Sequence, residues 1–183
     1  MKKAKIMIGL IMGLVFLSGC SLKSTATDAV KSFLDQYRNL SANVLTDLDN
    51  IIEQENFSDK QKKNYRDALK KQYSDLKYEI VNEAYDGNIA VIEAKITVYD
   101  YYKAQEDASV YLAANPSKFV NEDGVYDNDL FLDYKLEQMM KTTDTVEYTI
   151  DFDVTKNEDG DWEVESLSHN DLEKIHGIYN YNE

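Results

Sequence analysis

The strictest pattern in this chain is the run Thr145 to Thr155. Val146, Tyr148, Ile150, Phe152 and Val154 alternate there with Glu147, Thr149, Asp151 and Asp153. Successive strand side chains point to opposite faces, so this run predicts a strand with one face in a core and the other in water. A second alternation follows Asp86-Gly87, where Ala90, Ile92, Ala94, Ile96 and Val98 oppose Glu93, Lys95, Thr97 and Tyr99. Asp-Gly between two such runs predicts a hairpin, with strands over Lys77 to Tyr85 and Asn88 to Tyr101. Asp159-Gly160 closes another, turning the chain into Asp161 to Ser168, with Trp162 and Val164 on one face. Two hairpins cannot make the parallel sheet of alternating strand-helix units; they predict one antiparallel sheet.

The remaining sequence has helical periodicity. Val30, Phe33, Leu34, Tyr37, Leu40, Val44, Leu45, Leu48, Ile51 and Ile52 step by threes and fours. That stripe predicts one long helix from Asp28 to Glu55, with Thr27 as its N-cap. Ser58-Asp59-Lys60-Gln61 matches a capping box and starts a second helix bearing Tyr65, Ala68, Leu69, Tyr73 and Leu76. Lys103 to Ala114 reads as a helix stopped by Asn115-Pro116, because the residue before proline avoids the α region. Asp129 to Lys141 reads as another, and Asn170 to Tyr179 as a short last one. The expected order is α-α-β-β-α-α-β-β-α, an α+β domain whose curved antiparallel sheet packs on the long N-terminal helix.

The chain begins with Lys2, Lys3 and Lys5, then an apolar run from Ile6 to Leu17, then Leu17-Ser18-Gly19-Cys20. The run is too short for a membrane span of about 20 residues and suits the apolar core of a signal peptide. Leu17-Ser18-Gly19-Cys20 resembles the bacterial lipobox. That resemblance implies cleavage before Cys20 and lipidation of its thiol with fatty acyl chains such as palmitate. Residues 1–19 are then a lipoprotein signal peptide, 20–27 a lipidated cysteine with a short polar tether, and 28–183 one globular domain. The expected location is the outer face of the cell membrane, held there by lipid. Removing 19 of 183 residues leaves 164, enough for a core without disulfides, and Cys20 is the chain's one cysteine.

Without the three signal lysines, 17 Lys and Arg stand against 34 Asp and Glu, a formal charge of −17. Such a chain is unsuited to nucleic acid. His169 and His176 lie seven residues apart, about 10.5 Å along a helix, too far to share one zinc ion. Both read as solvated or capping residues. Asp123-Gly124 and Asp159-Gly160 invite comparison with a calcium loop. Counting from either glycine puts Phe119 and Leu130, or Thr155 and Ser166, where carboxylates are required. They read as turns. No glycine-rich phosphate loop or Gly-x-Ser-x-Gly elbow is present, and neither cofactor nor metal is expected.

Tyrosine is abundant, with 14 in the chain. Tyr99, Tyr101 and Tyr102 gather where the second strand ends and are the candidate ligand-binding residues, since tyrosine combines apolar area with a polar tip. The plainer reading, and the one general aromatic behaviour favours, is a sheet edge packed by amphipathic side chains. Two helices followed by antiparallel strands resemble the nuclear transport factor two-like, or cystatin-like, α+β cone. With the lipobox, the chain is similar to small lipoproteins of low-GC Gram-positive bacteria. The central helices and the last helix depart from the simplest cone. No functional residues carry over from enzymes of that superfamily, so the expected function is non-catalytic binding of a small ligand, a peptide or an envelope protein at the outer face of the membrane. The alternatives are a lyase or isomerase with a carboxylate base in a cone pocket, and an acidic inhibitor or immunity protein.

Overall fold

The computed structural model describes residues 24–182. Cys20 and the segment read as a signal peptide lie outside them. The elements run α1 (Ala26–Arg38), α2 (Ala42–Gln54), α3 (Asp59–Asp75), β1 (Lys77–Asp86), β2 (Ile89–Tyr99) and α4 (Tyr101–Ala114). A 3-10 turn (Pro116–Phe119), α5 (Asn128–Lys141), β3 (Thr145–Lys156), β4 (Trp162–Val164) and α6 (His169–His176) complete the order. The class is α+β as expected, with a curved antiparallel sheet of order β1-β2-β3-β4.

The long N-terminal helix is in fact two. Asn39 caps α1, Leu40 takes a left-handed φ of 49°, and Ser41 caps α2 through Val44 N. Ser41 N donates to Gln36 O and Leu40 N to Tyr37 O, both at 2.9 Å, which is the bonding of a Schellman ending. Leucine is an unusual residue for that conformation, which costs about 1–2 kcal/mol outside glycine. The apolar stripe runs through the break without a change of step, so periodicity does not register it. The start also differs. Thr25, not Thr27, is the cap, in a capping box with Asp28, and Ala26 and Thr27 are buried. Residues expected in the tether therefore belong to the core. At α3 the predicted capping box of Ser58 and Gln61 is present.

The inner sheet face is filled, not hollow. Ala90, Ile92, Ala94, Ile96 and Val98 of β2 and Tyr148, Ile150, Phe152 and Val154 of β3 are all buried. Register places Ile92 opposite Phe152 and Ala94 opposite Ile150. α1 lies across β3 and β4, with the Phe33 and Phe152 rings edge to face at 5.9 Å. Helical side chains thus pack directly on this face of the sheet. Asp151 and Asp153 project from the other face into solvent.

One buried side chain ties helices to sheet. Gln72 of α3 is fully enclosed; its Oε1 accepts from Tyr99 N at 2.8 Å and its Nε2 donates to Tyr99 O at 3.0 Å. The amide thereby acts as one more rung at the end of β2. Gly177, the residue after α6, closes over this rung with φ 72°. A β-carbon there would sit 2.0 Å from Gln72 Nε2 and 2.2 Å from Tyr99 O. Gly177 O in turn accepts from Tyr102 N at 2.8 Å. The knot fixes α6 against α3, and so sets His176 beside Tyr73.

Candidate functional site

The three tyrosines singled out from sequence do not form one patch. β2 ends at Tyr99, and Asp100 caps α4 by accepting from Lys103 N at 2.8 Å, so Tyr101 and Tyr102 lie in the first helical turn. Tyr101 is fully buried, and its hydroxyl donates to Ala68 O at 2.8 Å. It is a core residue. Tyr99 stacks on it at 6.1 Å, donates its own hydroxyl to Asp75 at 2.8 Å, and lies under Lys71 Nζ at 4.1 Å. Tyr102 turns instead to Tyr181, with ring centroids 4.9 Å apart. The functional groups of all three are committed to neighbours within the chain.

A hollow of about 580 Å³ opens between α3, α4 and α5. Tyr111 and Tyr134 stack along it at 5.0 Å, and Lys118 bonds the Tyr111 hydroxyl. Lys60 pairs with Asp133 Oδ2 at 2.5 Å. Its charged groups largely satisfy one another, although Asp133 Oδ1 is enclosed and unpaired.

A smaller pocket of about 190 Å³ lies among α1, α2, α3 and α6. Val44, Leu48, Ile51 and Leu172 make its apolar walls, and Tyr37, Tyr73, His176 and Asp47 its polar lining. The Tyr37 and Tyr73 rings meet edge to face at 5.1 Å, and His176 lies 5.8 Å from Tyr73. Helical periodicity explains the assembly. Val44, Leu48 and Ile51 follow one face of α2, and Leu172 and His176, four apart, share one face of α6.

The polar groups of this pocket are unpaired. No hydrogen bond among the described residues involves the Tyr37 or Tyr73 hydroxyl or a ring nitrogen of His176. Asp133 Oδ1 is the one side-chain polar atom among the described residues that is both unpaired and fully enclosed. Buried polar groups are normally satisfied. Here Tyr73 and His176 are buried and Tyr37 half-buried beside an apolar space, and small-molecule sites combine apolar walls with a few polar groups.

Burial also biases their protonation. His176 is only 8% exposed, and desolvation, followed by the nearby His169 charge, lowers its pKa from 6.5 to about 4. At neutral pH it is a neutral imidazole, able to donate through one nitrogen and accept through the other. Burial, and then the charge of Asp47, pushes the Tyr37 hydroxyl up to about 12. Tyr73 rises further, again chiefly through burial. Both stay protonated donors. Asp47 is exposed and sits at the mouth.

This site was not singled out in the sequence. Tyr37 and Tyr73 sit in core stripes, and the sequence spacing points to His176 as a solvated or capping residue. His169 is indeed open to solvent, with its Nε2 3.2 Å from Glu173, whereas His176 is buried. The available signal was the four-residue step from Leu172 to His176, which puts the imidazole on the apolar face. The Asp-Gly segments, by contrast, are turns. Asn121 Oδ1 accepts from Asp123 N and Val125 N, and Asn157 Oδ1 accepts from Asp159 N and Asp161 N, all at 3.0 Å. Gly124 and Gly160 supply positive φ in them.

No known family profile matches the chain, and no curated protein matches it. Among solved structures it is similar to a Bacillus subtilis protein described as a candidate lipoprotein, ycdA, at 14% identity and a TM-score of 0.43. The match covers 86% of this chain and 48% of that one, so the chain spans about half the length of the protein it resembles.

Proposed function

We propose that the chain is an extracytoplasmic lipoprotein, held at the membrane by lipid on Cys20, that binds a small ligand without transforming it. The observation that carries the binding role is the α1–α2–α3–α6 pocket, whose apolar walls of Val44, Leu48, Ile51 and Leu172 are edged by Tyr37, Asp47 and His176. Fixed donors and acceptors in a preformed pocket orient a ligand at little reorganisation cost. The address rests on the charged start, the apolar run and the lipobox-like Leu17-Ser18-Gly19-Cys20. Among the described residues no helix is long and apolar enough to cross a membrane.

Two measurements test the two halves. Cys20→Ser should move the protein from the membrane fraction to the soluble fraction; unchanged fractionation and unchanged mass defeat the anchor. A small-fragment screen by NMR on the mature chain should shift the methyl signals of Val44, Leu48 and Ile51. Ile51→Trp, which fills the pocket from its rim, should abolish the shifts at Val44 and Leu48. Fragments that bind only elsewhere, or bind the Trp variant equally well, defeat the pocket.

A further inference from the structure

The outer face of β2 is polar at Glu93, Lys95 and Thr97 but not at the start of the strand. There the outward residues are Ile89 and Val91, 56% and 37% exposed. Across the Asp86-Gly87 turn, Tyr85 on the inner face is 49% exposed. The tip of this hairpin is thus apolar on both faces, whereas packing on the core calls for an apolar inner face alone. The tip also has a fixed place relative to the start of the domain. The Tyr85 hydroxyl lies 3.5 Å from Thr27 Oγ1, in the first turn of α1. The Tyr85 ring meets Trp162 edge to face at 5.8 Å, and Lys156 Nζ lies 4.7 Å over the Trp162 ring. Lys156 N donates to Asn88 O at 2.9 Å, which ties the β1–β2 tip to the β3–β4 tip. Both tips therefore stand beside the N-terminus of α1. Thr25 caps that helix, and Cys20 precedes it by five residues. Five residues of chain reach at most about 18 Å. The other end of the sheet, where Tyr99 pairs with Thr145, lies ten residues along β2 from Ile89, about 34 Å away.

We infer that the two hairpin tips are the membrane-facing end of the domain and seat on the lipid–water interface through Tyr85, Ile89, Val91 and Trp162. The inference rests on the lipid anchor at Cys20 and goes beyond it, by assigning the surface that meets the bilayer and so the orientation of the domain. Tyrosine and tryptophan are favoured at such interfaces because each joins an apolar ring to a polar group. Lys156 beside Trp162 adds a long apolar stem that ends in a cation, suited to headgroup phosphates. Asp86, Glu158, Asp159 and Asp161 are exposed at the same end, so net charge does not draw it to an anionic surface. The drive is apolar burial, and the lipid to expect is zwitterionic. Weak contacts suffice, since a short tether makes docking an intramolecular step at high effective concentration.

Trp162 is the chain's one tryptophan, so its fluorescence reports on this end directly. The mature protein purified from bacterial membranes is placed in vesicles of phosphatidylcholine, some brominated near the headgroup end of the acyl chains. Trp162 emission should move to shorter wavelength on vesicle binding and be quenched by the brominated lipid. A reporter at the far end of the sheet, Thr145→Trp in a Trp162→Phe background, should show neither change. Ile89→Asn should relieve most of the quenching of Trp162. Ile89 is exposed, so that variant folds, and emission and circular dichroism matching the native chain without vesicles verify it. If the protein carries its acyl mass on Cys20 and binds vesicles, but Trp162 is unquenched or both ends are quenched alike, the docking falls and the anchor stands. Quenching unchanged by Ile89→Asn likewise overturns a contact made through the apolar tip. If Cys20 carries no acyl mass and the protein stays off the vesicles, anchor and docking fall together.

Discussion

Acidification should charge His176 against its surroundings, and the cost can be worked from the structure. In the unfolded chain the imidazole takes its proton near its ordinary pKa of 6.5; in the folded chain it resists until about 4. Between those values the unfolded state holds more protons, so stability rises with pH across that window and falls as pH drops from about 6.5 to about 4. Above the window both states are neutral, and below it both are charged, so the contribution is level on either side. At about 1.4 kcal/mol per pH unit the gap amounts to about 3 kcal/mol. Tyr73 on α3 packs against the ring at 5.8 Å, His169 on its own helix adds a like charge, and Tyr37 on α1 and Asp47 on α2 line the same pocket. Neither tyrosine titrates in this window. Carboxylates elsewhere titrate too, so the informative quantity is the stability of the native chain minus that of His176→Gln. Denaturant unfolding at stepped pH should show that difference level above pH 7 and falling by about 3 kcal/mol on approach to pH 4. With two histidines in the chain, NMR of the ring nitrogens assigns the titrations directly. A level difference curve, or a His176 ring titrating near 6.5, would refute the burial argument.

Two further substitutions test the core and the knot. Phe152→Ala removes a fully buried ring packed on Phe33 and should cost about 3–5 kcal/mol in denaturant unfolding. Asp151→Thr, on the solvent face of the same strand, should stay within about 0.5 kcal/mol; the opposite ranking would invert the sheet. Gly177→Ala should lose clearly more than the roughly 1–2 kcal/mol of a left-handed alanine, because its β-carbon collides with Gln72 and the Tyr99 carbonyl. Gly160→Ala, with φ 84° and open space around it, supplies the backbone cost alone, and equal losses at the two sites would dismiss the knot.

Where local rules operate alone, the sequence reading and the structure agree. Ser58 and Gln61 form their capping box, Asn115-Pro116 ends α4, and the alternation over Thr145 to Thr155 becomes β3 with Tyr148 to Val154 inside. The helix break at Leu40 escaped because both halves keep one apolar face, and a stripe does not distinguish a straight helix from two packed against the same core. The reach of β2 was overestimated for a related reason. Tyr101 continues an alternating pattern, but the Asp100 cap wins the backbone for α4.

The chain alone thus determined that it would make antiparallel hairpins and amphipathic helices around one core, since alternation, capping and turn residues act over a few neighbours. It also set the acidic surface and the lipobox-like start. Tertiary structure decided which stripes face one another, and with that the site. Tyr37, Tyr73 and His176 lie on three helices far apart in sequence, and each taken singly is a core aromatic or a surface histidine. They become a pocket because Gln72 bridges α3 to β2 and Gly177 lets α6 close over that bridge. Nothing in the spacing of the residues encodes those contacts, because they depend on long-range packing between elements that no local pattern pairs.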